Sequence, residues 1–281
     1  MPELPEVETI VRQLRGVLID NTLVGIEVYR EKSFEGGIEK VIGKSVSAIE
    51  RKGKIIFVRL SGDIGLMIHL KMTGQLIWRK NEKRIVGGHP TVDWVGNLPS
   101  SHTRVKISWL DNGELFFNDM RVFGWIKVTS IQQWQELGRK LPHDVVDDGF
   151  DKNYFEKIVE KSIRPIKVLL MDGTLIGGVG NIYANDALWL AEINPNRVAR
   201  SLKKEEVEKL YKSLLYVINK GIETGGASAS NYVNLDGLGG KYQEHFLSYK
   251  KEGEKCSRCG GVFMRSKIGG RGSFWCPGCQ K

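Results

Sequence analysis

The stretch CSRCGGVFMRSKIGGRGSFWCPGC, residues 256–279, contains all four cysteines of the 281-residue chain. They form two Cys-x-x-Cys pairs, Cys256/Cys259 and Cys276/Cys279, with 16 residues between the pairs. This spacing is typical of a tetrahedral zinc ribbon with four thiolate ligands and not of a disulfide framework. A site closed by four thiolates leaves no open position for a substrate. We therefore expect one structural Zn²⁺ that takes the place of a hydrophobic core in a small module.

The residues between the two pairs are basic. Arg265, Lys267 and Arg271 stand there among glycines, and residues 241–281 hold nine basic residues against three acidic ones. The whole chain has a net charge of +9 and a pI near 9.3. This excess indicates a polyanionic partner, and a basic hairpin of this kind can enter a groove of duplex DNA. The alternative is a ribbon that only caps the chain with solvated charges.

Composition and the N-terminal sequence argue against a membrane-spanning or an exported protein. No apolar run approaches the roughly 20 residues of a membrane span, and the longest candidate, Ile64 to Leu70, contains His69. Glu3, Glu6 and Glu8 stand where a signal peptide would carry basic charge. Because the cysteines are expected to be reduced metal ligands, we expect a soluble, cytoplasmic protein.

Hydrophobic periodicity predicts two domains of different class. Residues 3–18 show the apolar stripe of an amphipathic helix. From about residue 22 to 128 short β-rich segments follow one another, with a hairpin signal at Asp111-Asn112-Gly113. We expect an antiparallel sandwich with the N-terminal helix laid against it. Helical patterns continue from Thr129 to about Glu223, so the fold class is α+β.

Two glycine-rich segments interrupt the helical part. GTLIGGVGN at residues 173–181 lies between two helical patterns. It is either a helix-hairpin element that binds a DNA phosphate through backbone N–H groups or a plain connection between helices. Residues 224–241 form a long glycine-rich loop, which is either a linker or a lid over a site.

The N-terminus offers a nucleophile. Removal of Met1 would leave Pro2 with a free secondary amine, whose pKa near 8 keeps part of it unprotonated at neutral pH. Such an amine can attack an aldehyde-level carbon and give a charged iminium ion, which drives elimination from the neighbouring carbon. Glu3 and Glu6 are close enough in sequence to transfer protons. Taken alone, Met-Pro-Glu is a common start without special meaning.

Several motifs together resemble the formamidopyrimidine-DNA glycosylases over the whole chain. The motifs are MPELPEVETIVRQLRG at the N-terminus, HLKMTGQL at 69–76, NDMRVFG at 118–124, GGVGNIYANDAL at 177–188 and the four-Cys ribbon ending in CPGCQK. The resemblance implies base excision repair of double-stranded DNA. A β-sandwich domain and a helix-two-turn-helix domain with a zinc finger would flip out and excise oxidised purines such as 8-oxoguanine and formamidopyrimidines. The enzyme would then cleave the abasic strand by β,δ-elimination.

The resemblance also implies roles for single residues. Pro2 would be the Schiff-base nucleophile, Glu3 the acid that opens the deoxyribose ring, and Glu6 a support for the helix and the amine. Lys54 would contact phosphate and relay protons, although a solvated lysine at a strand end is the ordinary reading of that position. Arg271 would hold phosphates around the flipped nucleotide.

Further residues would contact DNA. Met72, Arg121 and Phe123 match the set that fills the void left by the extruded base, whereas core packing is the other explanation for Met72 and Phe123. Asn181 would bind a phosphate, and Lys167 would lie near the lesion. The loop 224–241 would cap the lesion, with Ser228 to Tyr232, and Tyr232 in particular, contacting the base.

These observations predict the domain boundaries and leave two alternative functions open. We expect a catalytic β-sandwich domain over residues 2–130, a linker over 131–150, a helix-two-turn-helix domain over 151–250 and a zinc finger over 251–281, acting as a monomer. Val122 departs from the family, because many members have a second arginine there. The rivals are an endonuclease VIII-like glycosylase for oxidised pyrimidines and a non-catalytic zinc-ribbon protein that binds nucleic acid.

Overall fold

The computed structural model of the chain describes residues 2–228 and 240–281, which divide into two compact units. The first unit combines the chain up to Leu141 with the segment 224–241, and the second combines residues 142–223 with 242–281. Across the described ranges, no helix has both the length and the apolar character needed to cross a membrane.

The first unit is built mainly from strands. In chain order its helices and strands are α1 Leu4–Leu18, β1 Leu23–Val28, β2 Phe34–Glu35, β3 Val46–Lys52, β4 Ile55–Leu60, β5 Ile64–His69, β6 Gly74–Lys80, β7 Lys83–Gly88, β8 Thr103–Trp109, β9 Glu114–Asp119, β10 Trp125–Ser130 and α2 Ile131–Lys140. Helix α2 therefore occupies the first half of the stretch expected as a linker.

The strands form two five-stranded sheets, in the orders β1-β8-β9-β6-β7 and β2-β10-β5-β4-β3. The predicted sandwich with an N-terminal helix is confirmed. One pair departs from the antiparallel arrangement, because the two-residue strand β2 runs parallel to β10. Asn112 adopts a φ of 64° in the turn between β8 and β9, as the Asp-Asn-Gly signal predicts.

Helix α1 completes the core of this unit. Its apolar stripe is buried against residues from both sheets, and it packs on β3 and β7, which are edge strands of different sheets. The buried side chains of the stripe are Val7, Ile10, Val11, Leu14 and Leu18. Because burial of this face removes a large apolar area from water, it fixes the first turn of the helix relative to the sheets.

The second unit is mainly helical. Its helices and strands are α3 Lys152–Glu160, α4 Ile166–Leu170, α5 Asn181–Leu190, α6 Lys204–Glu223, β11 Met264–Ile268 and β12 Arg271–Trp275. Rings of Phe150, Phe155 and Tyr211 pack together between α3 and α6, with centroids 5.8 to 6.0 Å apart. Strands β11 and β12 form the hairpin that the cysteine spacing predicts.

Candidate active site and nucleic-acid interface

The first turn of α1 holds the N-terminal candidates in a buried position. Glu3 is the N-cap of the helix, and the Glu6 carboxylate accepts the Glu3 N–H at 2.7 Å in a reciprocal capping box. Both side chains are buried, as is Pro2. The two glutamates that the sequence suggests for proton transfer therefore also define where the helix begins, and so where Pro2 stands.

Glu6 has a second contact that the sequence does not reveal. Its other carboxylate oxygen accepts the backbone N–H of Ala227 at 2.7 Å. A Cβ added at Gly226, where φ is 81°, would lie 2.9 Å from the Glu6 Cγ, so only glycine allows this approach. One carboxylate thus joins the turn after Pro2 to the start of the glycine-rich loop.

The described part of the loop 224–241 consists of its two ends. Ala227 and Lys241 form an isolated antiparallel bridge, and the Lys241 N–H donates to the Thr224 carbonyl at 2.8 Å. The loop therefore begins and ends at neighbouring points. Tyr232 lies outside the described residues.

Lys54 lies in the tight turn between β3 and β4. Arg51 orients this turn, since its guanidinium pairs with Glu8 at 2.9 Å and donates to the Gly53 carbonyl at 2.9 Å. The positive charge of Lys54 acts on His69, the last residue of β5. Burial first, and then the charges of Lys71 and Lys54, lower the pKa of His69 to about 4. His69 is therefore neutral at physiological pH, and its Nδ1 accepts the Lys71 N–H at 3.0 Å.

Met72, Arg121 and Phe123 stand on two loops that leave neighbouring inner strands of the first sheet at the same end. Gly74 begins β6 and is paired with Asp119, which ends β9, so the loops 70–73 and 120–124 leave the sheet at the same point. The Arg121 guanidinium lies over the Phe123 ring, 4.8 Å from its centroid. Phe123 is 48% exposed, which argues against a core-packing role for this ring.

The glycine-rich turn of the second unit precedes helix α5. Gly180 is the N-cap of α5 and Asn181 is its first residue, so Asn181 stands in the first turn of the helix. The Asn181 carbonyl accepts the Asn185 amide at 2.5 Å. A helix N-terminus that follows glycines can bind an anion, which fits the phosphate role expected of Asn181.

Lys167 is buried inside the second unit and not exposed at its surface. It is completely buried in α4, and its Nζ donates to the Gly272 carbonyl at 2.8 Å and to the Ser273 Oγ at 2.7 Å. A second contact joins the same hairpin to α5, because the Asn185 Oδ1 accepts the Phe274 N–H at 2.8 Å. The structure thus uses Lys167 to dock the zinc hairpin on the helices.

Arg271 is exposed at the start of β12, directly after the Gly269-Gly270 turn. A cavity of about 210 Å³ lies beside it, lined also by Arg164, Val168 and Met171. The docking of the hairpin on α4 thus places a cationic side chain beside that helix.

The four cysteines meet the requirements of a zinc site. Their Sγ atoms all lie within 4.8 Å of one another, and two of the separations are 3.8 Å for Cys256 to Cys279 and 3.4 Å for Cys259 to Cys276. Tetrahedral coordination with Zn–S bonds of about 2.3 Å requires sulfur separations of about 3.8 Å. The donor set therefore fits one structural Zn²⁺, and the ligands named from the sequence are those the fold assembles. Without a cation, burial and the neighbouring thiols raise the pKa of Cys279 to about 12.

Asp186 is a buried carboxyl that sequence reasoning missed. It lies in α5 and accepts the N–H groups of Ser248 at 2.9 Å and Tyr249 at 3.0 Å, together with the Tyr242 hydroxyl at 3.1 Å. Burial raises the pKa of Asp186. It anchors the segment that leads into the zinc ribbon. Nothing in its local sequence marks it, because its partners lie about 60 residues further along the chain.

Three family models match the chain. The formamidopyrimidine-DNA glycosylase N-terminal domain matches residues 1–126, the formamidopyrimidine-DNA glycosylase H2TH domain matches 141–233, and the zinc finger found in FPG and IleRS matches 253–281. Together they account for most of the sequence and for both units.

Curated relatives extend over the full length. A formamidopyrimidine-DNA glycosylase of Pelotomaculum thermopropionicum is 34% identical over 288 residues, covering 100% of this chain and 99% of the relative. One of Carboxydothermus hydrogenoformans is 35% identical over 286 residues, with 100% of both proteins covered.

Solved structures of the same family also match the full length of the chain. A Lactococcus lactis FPG variant in complex with DNA containing Fapy-dG superposes with a TM-score of 0.87 at 31% identity, covering 100% of both chains. Lactococcus lactis Fpg in complex with DNA containing an abasic site gives a TM-score of 0.86 at 31% identity and 99% coverage of both chains. With the buried N-terminal turn, the two loops that carry Met72, Arg121 and Phe123, and the four-thiolate cluster in place, the chain belongs to the formamidopyrimidine-DNA glycosylase family.

Proposed function

We propose that the protein is a bifunctional DNA glycosylase and abasic-site lyase of base excision repair, with Pro2 as its nucleophile. Family membership makes it a DNA repair enzyme that binds damaged double-stranded DNA. The observation that carries the assignment of the nucleophile is the buried capping turn, in which Glu3 and Glu6 define the position of Pro2. An amine held there beside two carboxyl groups has a proton acceptor and a proton donor within one helical turn.

The chemistry follows from a secondary amine at this position. After removal of Met1, the Pro2 nitrogen attacks C1′ of the damaged nucleotide, and the bond from C1′ to the base breaks as the base leaves with the electron pair and a proton. Glu3 donates a proton to the ring oxygen, so the sugar opens to an iminium ion on Pro2. The iminium accepts electrons when a C2′ proton is removed, and the 3′ phosphate is expelled. Loss of the C4′ proton then drives a second elimination that expels the 5′ phosphate, and hydrolysis of the iminium by water frees the Pro2 amine.

Other residues hold the DNA in this proposal. Lys54, Asn181 and Arg271 contact phosphates, and each lies where a turn or a helix N-terminus supports such a contact. Met72, Arg121 and Phe123 enter the duplex where the damaged base leaves it. This insertion offsets the few kcal/mol of stacking that is lost when a base is extruded. The bound Zn²⁺ is structural, and its four thiolates keep the hairpin that carries Arg271 folded.

Oxidised purines are the proposed substrate class. The Met72, Arg121 and Phe123 set and the PELPEVET block favour the purine enzyme over an endonuclease VIII-like one. Lactococcus lactis FPG has been solved in complex with DNA that contains an oxidised pyrimidine as well as with Fapy-dG DNA. Cleavage of 8-oxoguanine:C and thymine-glycol duplexes should therefore be compared directly. A clear preference for thymine glycol would overturn the substrate assignment.

Borohydride trapping tests the nucleophile. Wild type incubated with an 8-oxoguanine duplex and borohydride should form a covalent protein–DNA adduct, because the iminium is reduced to a stable amine. Pro2→Gly and a variant with an N-terminal extension should lose most of the adduct. Absence of any adduct with wild type would favour the non-catalytic binding protein, and unchanged trapping in both variants would show that the nucleophile is elsewhere.

We further propose that the protein acts as a monomer in the cytoplasm. Four reduced cysteines that ligate zinc suit a reducing compartment, and the proposed substrate is DNA. Sedimentation of the free protein and of its complex with one duplex would test the stoichiometry.

A further inference from the structure

Asp119 occupies the point from which both DNA-entering loops leave the sheet. It is the last residue of β9 and pairs with Gly74, the first residue of β6. The loop 70–73 carries Met72, and the loop 120–124 carries Arg121 and Phe123. Asp119 is completely buried, whereas Arg121 and Phe123 are exposed. A charged side chain in this position needs strong hydrogen-bond partners.

The Asp119 carboxylate binds both loops at once. Its Oδ1 accepts the Thr73 hydroxyl of one loop and the Arg121 N–H of the other, the latter at 3.1 Å. Its Oδ2 accepts the Phe123 N–H at 2.8 Å and the Gly124 N–H at 2.7 Å. Hydrogen bonds to an ionised acceptor are shorter and stronger than neutral ones. One side chain therefore fixes the backbone on both sides of the exposed Arg121 and Phe123.

The loop it holds is strained. Val122 has a φ of 56°, which is unfavourable for a β-branched residue, and such a conformation persists only when its surroundings over-determine it. The bonds from Arg121 and Phe123 to Asp119 flank Val122 on either side. Gly124 adds close packing, since a Cβ there would lie 2.7 Å from the Phe117 ring and 2.9 Å from the His69 carbonyl. The loop has little freedom to move away from Asp119.

We infer that Asp119 is a positioning residue that couples the Met72 loop to the Arg121–Phe123 loop, so that the three side chains enter the duplex as one rigid unit. This inference rests on the proposed function, because it assumes that these side chains fill the void. Asp119 itself touches no reacting atom. Its effect should appear in base extrusion, which requires insertion, and not in the chemistry of Pro2.

The test compares a substrate that needs insertion with one that does not. The variants are Asp119→Asn, which replaces one acceptor oxygen by a donor, and Thr73→Val, which removes the hydroxyl that donates to Asp119 and also accepts the Arg121 N–H at 3.1 Å. Thr73→Ser keeps the hydroxyl and is the conservative rescue. Asp111→Asn is the matched control, because Asp111 accepts the Gly113 N–H at the opposite end of the β8–β9 hairpin.

Loss of one or two hydrogen bonds to a buried carboxylate should slow excision of 8-oxoguanine from duplex DNA about tenfold or more in Asp119→Asn and Thr73→Val. The rate of borohydride trapping on a single-stranded oligonucleotide with a preformed abasic site should stay within about threefold of wild type, because no partner strand has to be entered. Thr73→Ser and Asp111→Asn should match wild type on both substrates.

A fluorescent base analogue beside the lesion gives an independent readout. Insertion unstacks the analogue and raises its emission, so this phase should be slowed in Asp119→Asn and Thr73→Val but normal in Thr73→Ser. Equal losses on duplex and single-stranded substrates, or a normal fluorescence phase in both variants, would overturn the inference. Absence of trapping with wild type would instead refute the proposed function. Should Asp119→Asn fail to fold, the Thr73 pair still decides the question.

Discussion

Val122, where the family resemblance implies a second arginine, has a left-handed backbone conformation that disfavours a branched side chain. Val122→Arg should bind duplex DNA roughly fivefold more tightly at low salt and add about 0.9 to the slope of log affinity against log salt concentration, because one more phosphate is neutralised. Fluorescence anisotropy at several salt concentrations measures both quantities.

Val122→Asn is the matched control for this prediction. Asparagine tolerates a positive φ but adds no charge, so this variant should gain thermal stability without a change in the salt slope. An equal affinity gain in both variants would mean that relief of backbone strain, and not charge, is responsible.

His69 makes stability depend on pH in a defined direction. Its pKa is about 4 in the folded protein because of burial and the charges of Lys71 and Lys54, against about 6.5 when unfolded. As the pH falls from about 6.5 to 4, the unfolded chain binds a proton that the folded chain does not, so stability is lost. In His69→Gln the loss of melting temperature between pH 7 and pH 5 should be smaller than in wild type. Equal losses would show that His69 is not the group involved.

The zinc hairpin is the element whose folding depends most on a bound ion. Two of its four cysteines are buried together with Trp189 and Phe263 in a small cluster, which is too small to hold the hairpin alone. Cys256→Ser should reduce the zinc content from one ion per chain and abolish most DNA binding, because Arg271 and its neighbours lose their support. Zinc analysis and anisotropy on the same samples test this. Full affinity without zinc would reduce the ribbon to a passive cap.

Helices, turns and strands of this chain differ in how strongly their local sequence predicts them. Helix α1 and the turn at Asn112 follow from periodicity and turn chemistry within a few residues, so the sequence predicts them directly. Strand β7 has only a weak local signal, since Gly87 and Gly88 lower its β propensity and its place is set by pairing with β6. The parallel pairing of β2 with β10 joins segments about 90 residues apart and leaves no local signal.

For the whole molecule, most of the net charge of +9 lies in residues 241–281, and we expect its position to matter more for DNA binding than its total. If Lys267 of the hairpin neutralises one phosphate, Lys267→Gln should lower the salt slope of DNA binding by about 0.9. Lys212→Gln on α6 removes the same charge from an exposed lysine that pairs with Glu208 and should leave the slope unchanged. An equal effect of the two variants would mean that overall charge alone attracts DNA.

The sequence by itself determined the zinc ligands, the N-terminal helix, the sandwich and the family, because each depends on residue types at short spacings or on motifs read as strings. Only the tertiary structure decided the partners of the charged groups at the site. Thr73 and Asp119 are 46 residues apart, Lys167 and Gly272 are 105 apart, and Glu6 and Ala227 are 221 apart. Lys167 looks in sequence like a DNA-facing cation, yet it is buried against a carbonyl and a hydroxyl. A buried polar group must find its hydrogen-bond partner wherever the packed chain places one, and a linear pattern does not record that place.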